Sequence, residues 1–169
     1  TRWIYDGGEK QKLYYQRSTD NGATFTTPPI NIIGGDDVWT GHPLIALDPS
    51  NPDRVHITFL DEGDTIDQDY SIYHTRSLNG GLSFSAPSEV DDQSQNEDLQ
   101  ALIVDDSGDP WLAWIEEDDR FRVATSPDGG ENWNTPSWEL GQNDVDWVDM
   151  AISNSGIVHV AWAGESDDD

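Results

Sequence analysis

No cysteine, a single methionine and only two lysines, Lys10 and Lys12, occur among the 169 residues. The missing thiols exclude a disulfide framework and any thiolate metal site, and they leave the redox compartment open. There is no stretch of 18 or more apolar residues, and no apolar segment follows a basic one at the N-terminus, so neither a membrane span nor a signal peptide is visible. Nucleophile elbow, phosphate loop and zinc signature are all absent. The pairs Gly7-Gly8 and Gly34-Gly35 lead into no helical pattern that could cradle a phosphate, which excludes nucleotide chemistry. His42, His56, His74 and His159 stand in different segments without metal-ligand spacing. Three of them alternate with apolar neighbours as packing residues do, leaving His42 as the one placed for chemistry.

Positive charge is scarce as well: 34 acidic residues face 8 basic ones, for a net charge of -26. Such a field repels phosphate backbones and anionic headgroups, so neither nucleic acid nor membrane insertion is expected. Asp-rich, Lys-poor surfaces suit concentrated salt, which at about 1 M shortens the Debye length to about 3 Å and removes the self-repulsion. A salt-loving source is the expectation.

What the sequence does contain is a repeat. Three octets align without gaps: Ser18-Thr-Asp-Asn-Gly-Ala-Thr-Phe25, Ser77-Leu-Asn-Gly-Gly-Leu-Ser-Phe84 and Ser126-Pro-Asp-Gly-Gly-Glu-Asn-Trp133. Alternating segments precede them at 13–17, 72–76 and 121–125. Further back lie strand pairs, 44–47 with 55–59, 101–104 with 111–114, and 150–153 with 157–162. Each unit reads as strand 1, turn, strand 2, loop, strand 3, octet hairpin, strand 4, a four-stranded antiparallel meander and the unit of a propeller blade. The expected fold is all-β: one partial β-propeller domain over residues 1–169, about three blades, with repeats at about 1–37, 38–92, 93–141 and 142–169. The count is 13 strands, with strand 2 of the first blade at 2–6. Because rings run to about 4–8 blades, the chain is expected to be a fragment or to complete a ring by self-association.

The octets resemble the Asp-box, or BNR repeat, of sialidase-like β-propellers, and the resemblance covers essentially the whole chain. It implies a rim hairpin held by Ser18, Asp20, Gly22 and Phe25, by Ser77, Asn79, Gly81 and Phe84, and by Ser126, Asp128, Gly130 and Trp133. Glycine supplies the turn's positive φ, and the carboxylate accepts backbone N–H groups. Asn79, Ser83 and Asn132 depart from the pattern, so the side-chain bonds should differ between blades while the turns survive.

The opposite rim, built from the loops joining strands 2 to 3 and strand 4 to the next strand 1, is where a ligand is expected. It carries Trp39 and His42, then Glu97 and Asp98, then Asp146, Trp147 and Asp149, with further acids at 61–69 and 116–119. Tryptophans beside carboxylates suit a neutral sugar stacked on the indole. The bland alternative is a solvated acidic face with tryptophans packed between blades. Clustered aspartates also suit Ca²⁺, although 61–69 lacks the spacing of an EF-hand loop. The sialidase resemblance implies three clustered arginines, a tyrosine nucleophile and a Phe/Tyr-Arg-Ile-Pro segment. That segment is absent, and on this rim only Arg2, Arg120 and Arg122 remain. A non-catalytic binding or structural scaffold is therefore expected, in a secreted or cell-surface protein with a glycan or protein ligand. The alternative is a fragment of a sialidase-like or other glycoside hydrolase.

Overall fold

A computed structural model describes residues 12–33, 40–61, 70–91, 97–116, 121–134, 145–153 and 155–164. Every regular element among them is a strand: β1 (Tyr14–Tyr15), β2 (Ile30–Asn31), β3 (Thr40–Leu47), β4 (Val55–Asp61), β5 (Ser71–Ser77), β6 (Ser88–Glu89), β7 (Glu97–Val104), β8 (Pro110–Glu116), β9 (Phe121–Thr125), β10 (Val145–Ile152) and β11 (Val158–Gly164). All pairings are antiparallel and consecutive, giving sheets β1-β2, β3-β4-β5-β6, β7-β8-β9 and β10-β11. The chain is thus a partial β-propeller of about three blades. The expected strand at 2–6 lies outside the described residues. In the third blade the fourth strand is represented by one bridge, Thr125 to Asn134, at the edge of the described segment.

Successive side chains of a strand point to opposite faces of its sheet, so a strand is buried at every position only when both faces are covered. β4 is buried continuously from Val55 to Leu60, as the middle strand of a blade sandwiched between two others must be. The core accordingly lies in three seams. Leu13 meets Val55, Ile57 and Phe59 between the first and second blades. Leu60, Ile72 and Val90 meet Leu112, Trp114 and Ala124 between the second and third. Ala101, Ala113, Ile115 and Val123 meet Val145 and Met150 beyond the third. Trp114 is the largest wholly buried side chain, and its truncation to Ala would cost about 3–5 kcal/mol. His56 and His74 are buried as packing residues, whereas His159 is exposed. The expectation of packing fails for His159 because no described strand covers that side of β11.

The octets form hairpins with one hydrogen-bond plan. In each, the first serine accepts the N–H of the fifth residue at 2.8 Å, in Gly22, Gly81 and Gly130. The same hydroxyl donates to the third residue's side chain, Asp20, Asn79 or Asp128, at 2.6–2.9 Å. That third side chain accepts the seventh residue's N–H, from Thr24, Ser83 and Asn132. The departures from the repeat are compensated by exchanging roles. Thr24 donates its hydroxyl to Asp20, Asn79 donates its amide to Ser83 Oγ, and Asn132 donates its amide to Asp128. Bonds from Ser18 and Thr24 hold the Asp20 carboxyl down at about 2, and those from Asn132 and Ser126 hold Asp128 lower still.

Where the octet aromatic is covered, it reaches the neighbouring blade. Phe84 packs edge-on against Tyr15 at 4.9 Å, and Trp133 packs edge-on against His74 at 5.2 Å. Beside them, Arg17 donates to the Gly80 carbonyl, and Arg76 donates to the carbonyls of Asp128 and Gly129 and to Glu131. A ring and an arginine two residues later therefore clasp the next octet at both seams.

Candidate functional site

The octets share their rim with the turns 48–53 and 105–109: Gly80 N–H donates to Asp53 O, and Ser126 N–H donates to Pro110 O. The opposite ends of the strands form the rim on which the sequence placed its candidates. There the three innermost strands, β3, β7 and β10, lie side by side, and each breaks register near its start. The breaks fall between Gly41 and Leu44, between Asp98 and Gln100, and between Val145 and Trp147. A β-bulge re-aims the side chains beside it and increases local twist, a device common next to binding sites.

His42 sits in the first bulge, exposed, with a positive φ of 50° that a non-glycine residue adopts at a cost. Its carbonyl accepts from Gln100 Nε2 at 2.9 Å, which ties this bulge to the next blade. Glu97 and Asp98 open β7, and only their backbone is described; Glu97 pairs across the sheet with Glu116. Asp146 is the bulged residue of β10 and is exposed, as is Asp149, whose Oδ1 accepts the Met150 N–H at 2.8 Å. Trp147 is 65% exposed. Trp39, the acids at 62–69 and 117–119, Arg2 and Arg120 lie outside the described residues. The bulges thus gather His42, the backbone of Asp98, and Asp146 with Trp147 at matching ends of adjacent strands.

The same rim holds a charge cluster that the sequence reading saw only in parts. Arg122, on β9, pairs through Nε with Glu116 at the end of β8, and its Nη1 lies 3.8 Å from Asp91 Oδ2, just after β6. Both carboxylates are buried, and burial without a partner would cost several kcal/mol per ion. The cluster joins the second blade to the third. Glu116 and Arg122 had been assigned to this rim separately. Asp91 was missed, because a carboxylate after a short outer strand carries no local signal of burial. Among the described residues no group of three or more His, Asp or Glu side chains is placed to hold a metal ion.

No protein-family model matches the chain, and no curated protein sequence matches it. Solved structures do. A Trypanosoma rangeli sialidase, in complex with 2,3-difluorosialic acid, superimposes with a TM-score of 0.61 at 12% identity, over 91% of this chain and 29% of that one. The chain has the fold of the propeller glycosidases. A Hadza microbial sialidase, Hz136, gives 0.60 at 17% identity over 82% of this chain and 33% of that one. A Penicillium chrysogenum α-L-arabinanase, complexed with arabinobiose, gives 0.59 at 12% identity over 89% and 48%. As a span of the propeller-glycosidase fold, the chain covers about a third of these sialidases and about half of the arabinanase.

Proposed function

We propose that the chain is a non-catalytic segment of an Asp-box propeller, serving as a binding or structural scaffold for a neutral glycan in a secreted or cell-surface protein of a salt-rich setting. The observation that carries this reading is the state of Arg122. It is the one arginine in the described part of the ligand rim, and it is committed to Glu116 and Asp91 rather than held open for a substrate carboxylate. On β10, the exposed Trp147 with Asp146 and Asp149 offers a ring face and hydroxyl acceptors, the chemistry that suits an uncharged sugar. The octets, on the far rim, are read as Asp boxes whose work is to clasp blades.

A second reading, a segment of a glycoside hydrolase whose other blades supply the reacting groups, is favoured by the likeness to sialidases and an arabinanase. The two separate in one experiment. Titrate the chain calorimetrically with arabino- and galacto-oligosaccharides, and assay the same samples for release of the phenol from aryl glycosides. Binding that Trp147→Ala weakens at least tenfold, with no turnover, is the expected outcome; measurable turnover would sink the scaffold reading.

A further inference from the structure

We propose that Asn21-Gly22 is a spontaneous modification site, where backbone attack turns the Asn21 amide into an acid, and that the fold withholds the same reaction from Asn79-Gly80. These are the two Asn-Gly pairs of the sequence. In such a pair the glycine N–H loses its proton and the nitrogen attacks the asparagine Cγ, with no glycine side chain in the way. The new N–Cγ bond closes a succinimide as the Cγ–Nδ2 bond breaks, and the amide leaves with the proton as ammonia. Water then opens the ring at one carbonyl to give aspartate or at the other to give isoaspartate. Either way the chain gains one negative charge beyond its -26.

The two pairs sit in different registers of the same hairpin. The fourth and fifth residues of each octet are the left-handed centre of the turn, with φ of 56° and 85° at Asn21 and Gly22, 68° and 78° at Gly80 and Gly81, and 67° and 92° at Gly129 and Gly130. Asn-Gly is the pair such a turn favours, and in the first octet the reactive pair is the turn itself. In the second octet it lies one residue earlier. Its asparagine takes the third position, where the other octets carry Asp20 and Asp128.

That shift decides what holds each amide. The Asn79 side chain is bound at both ends: Oδ1 accepts from Ser77 Oγ and from the N–H groups of Leu82 and Ser83, and Nδ2 donates to Ser83 Oγ, all at 2.8–3.1 Å. Its attacking nitrogen is bound too. Gly80 is buried, its N–H donates to the Asp53 carbonyl at 2.7 Å, and its own carbonyl accepts from Arg17. Reaction there requires the hairpin to leave the 48–53 turn and the first blade's arginine together.

Asn21, at the fourth position, stands outside the bonds that fix the third side chain, and it is exposed. Gly22 is exposed as well, and its N–H donates to Ser18 Oγ within the same octet. Opening that one turn frees the nitrogen, and exposed turns open more readily than packed ones. Aspartate at the site tolerates the positive φ as asparagine does. Isoaspartate adds a carbon to the backbone between the two turn residues and displaces Gly22 from the Ser18 hydroxyl.

Incubating the folded 169-residue chain in molar salt and mildly alkaline buffer, beside a sample unfolded in urea, tests the assignment. Cleavage after arginine puts the sites in separate peptides, 18–54 and 77–120, and tandem mass spectrometry locates the mass gain of an amide turned acid. Each site's rate in the folded chain is taken against its own rate in urea. By that measure Asn79 should be slowed at least about tenfold more than Asn21, the factor that one or two extra hydrogen bonds impose. Arg17→Ala should speed conversion at Asn79 in the folded chain and leave its rate in urea unchanged. Equal protection at the two sites, or greater protection at Asn21, would overturn the proposal, as would a folded-chain Asn79 rate indifferent to Arg17→Ala.

Discussion

The two complete seams are the same joint made from different side chains. Between the first and second blades, Tyr15 lies over Gly81 beside Phe84, and Arg17 reaches the Gly80 carbonyl. Between the second and third, His74 lies over Gly130 beside Trp133, and Arg76 reaches the Gly129 carbonyl. What is held constant is a left-handed glycine that lets a ring approach the hairpin backbone; which ring it is remains free. The second seam also carries a buried histidine contact: His74 Nε2 lies 3.1 Å from His56 Nδ1 and one donates to the other inside the core.

The glycines offer the largest break. A Cβ at Gly130 would sit 2.3 Å from His74 Cε1, and one at Gly81 2.3 Å from the Tyr15 hydroxyl, each at a positive φ. Gly81→Ala and Gly130→Ala should each cost about 3 kcal/mol or more, conformational strain and overpacking together. Gly22→Ala meets nothing within 4 Å among the described residues and should cost only the strain, about 1–2 kcal/mol. Urea denaturation of the three variants checks the ordering, and equal losses would mean that the ring contact contributes nothing.

Blades were legible because alternation and octet spacing are local signals, and each strand pair joins segments a few residues apart. The seams were not. Arg17 and Gly80 are 63 residues apart and Arg76 and Gly129 are 53 apart, so the sequence showed only that these arginines precede the octets. The partners of Phe84 and Trp133 were hidden for the same reason, since each partner ring belongs to another repeat. On the rim opposite the octets, strand order predicted which strand ends meet, and His42, Asp146 and Trp147 stand near the starts of β3 and β10. The bulges that aim them depend on register between strands, which residue types alone do not set, and Trp39 lies outside the described residues.

The histidine pair sharpens the contrast through pH. Burial, reinforced by Arg76, pushes His56 down to about 4, and burial beside His56 pushes His74 down to about 3. An unfolded chain protonates both near 6.5, so it binds protons first as the pH falls. The stability present above pH 6.5 drains between there and about pH 4 to 3, by up to about 1.4 kcal/mol per pH unit for each histidine. His74→Tyr, which copies the first seam, should flatten this acid limb in thermal melts between pH 6.5 and 4. An unchanged limb would place the loss elsewhere. Below about pH 4 the carboxyl of Asp20, held at about 2, adds a loss of its own that the variant does not touch.

The arginines give the smallest effect and the finest comparison. Arg76 donates to two carbonyls across its seam and also to Glu131, while Arg17 donates to the Gly80 carbonyl. Net contributions of such bonds run near 1 kcal/mol each, so Arg17→Ala should cost about 1 kcal/mol and Arg76→Ala somewhat more. The ion pair does not account for the excess: Glu131 is 62% exposed, and exposed pairs contribute about 0–1 kcal/mol. Glu131→Ala should therefore change stability by less than about 0.5 kcal/mol. If instead it matched Arg76→Ala, the second seam would be held by charge where the first is held by backbone carbonyls, and molar salt would weaken it alone.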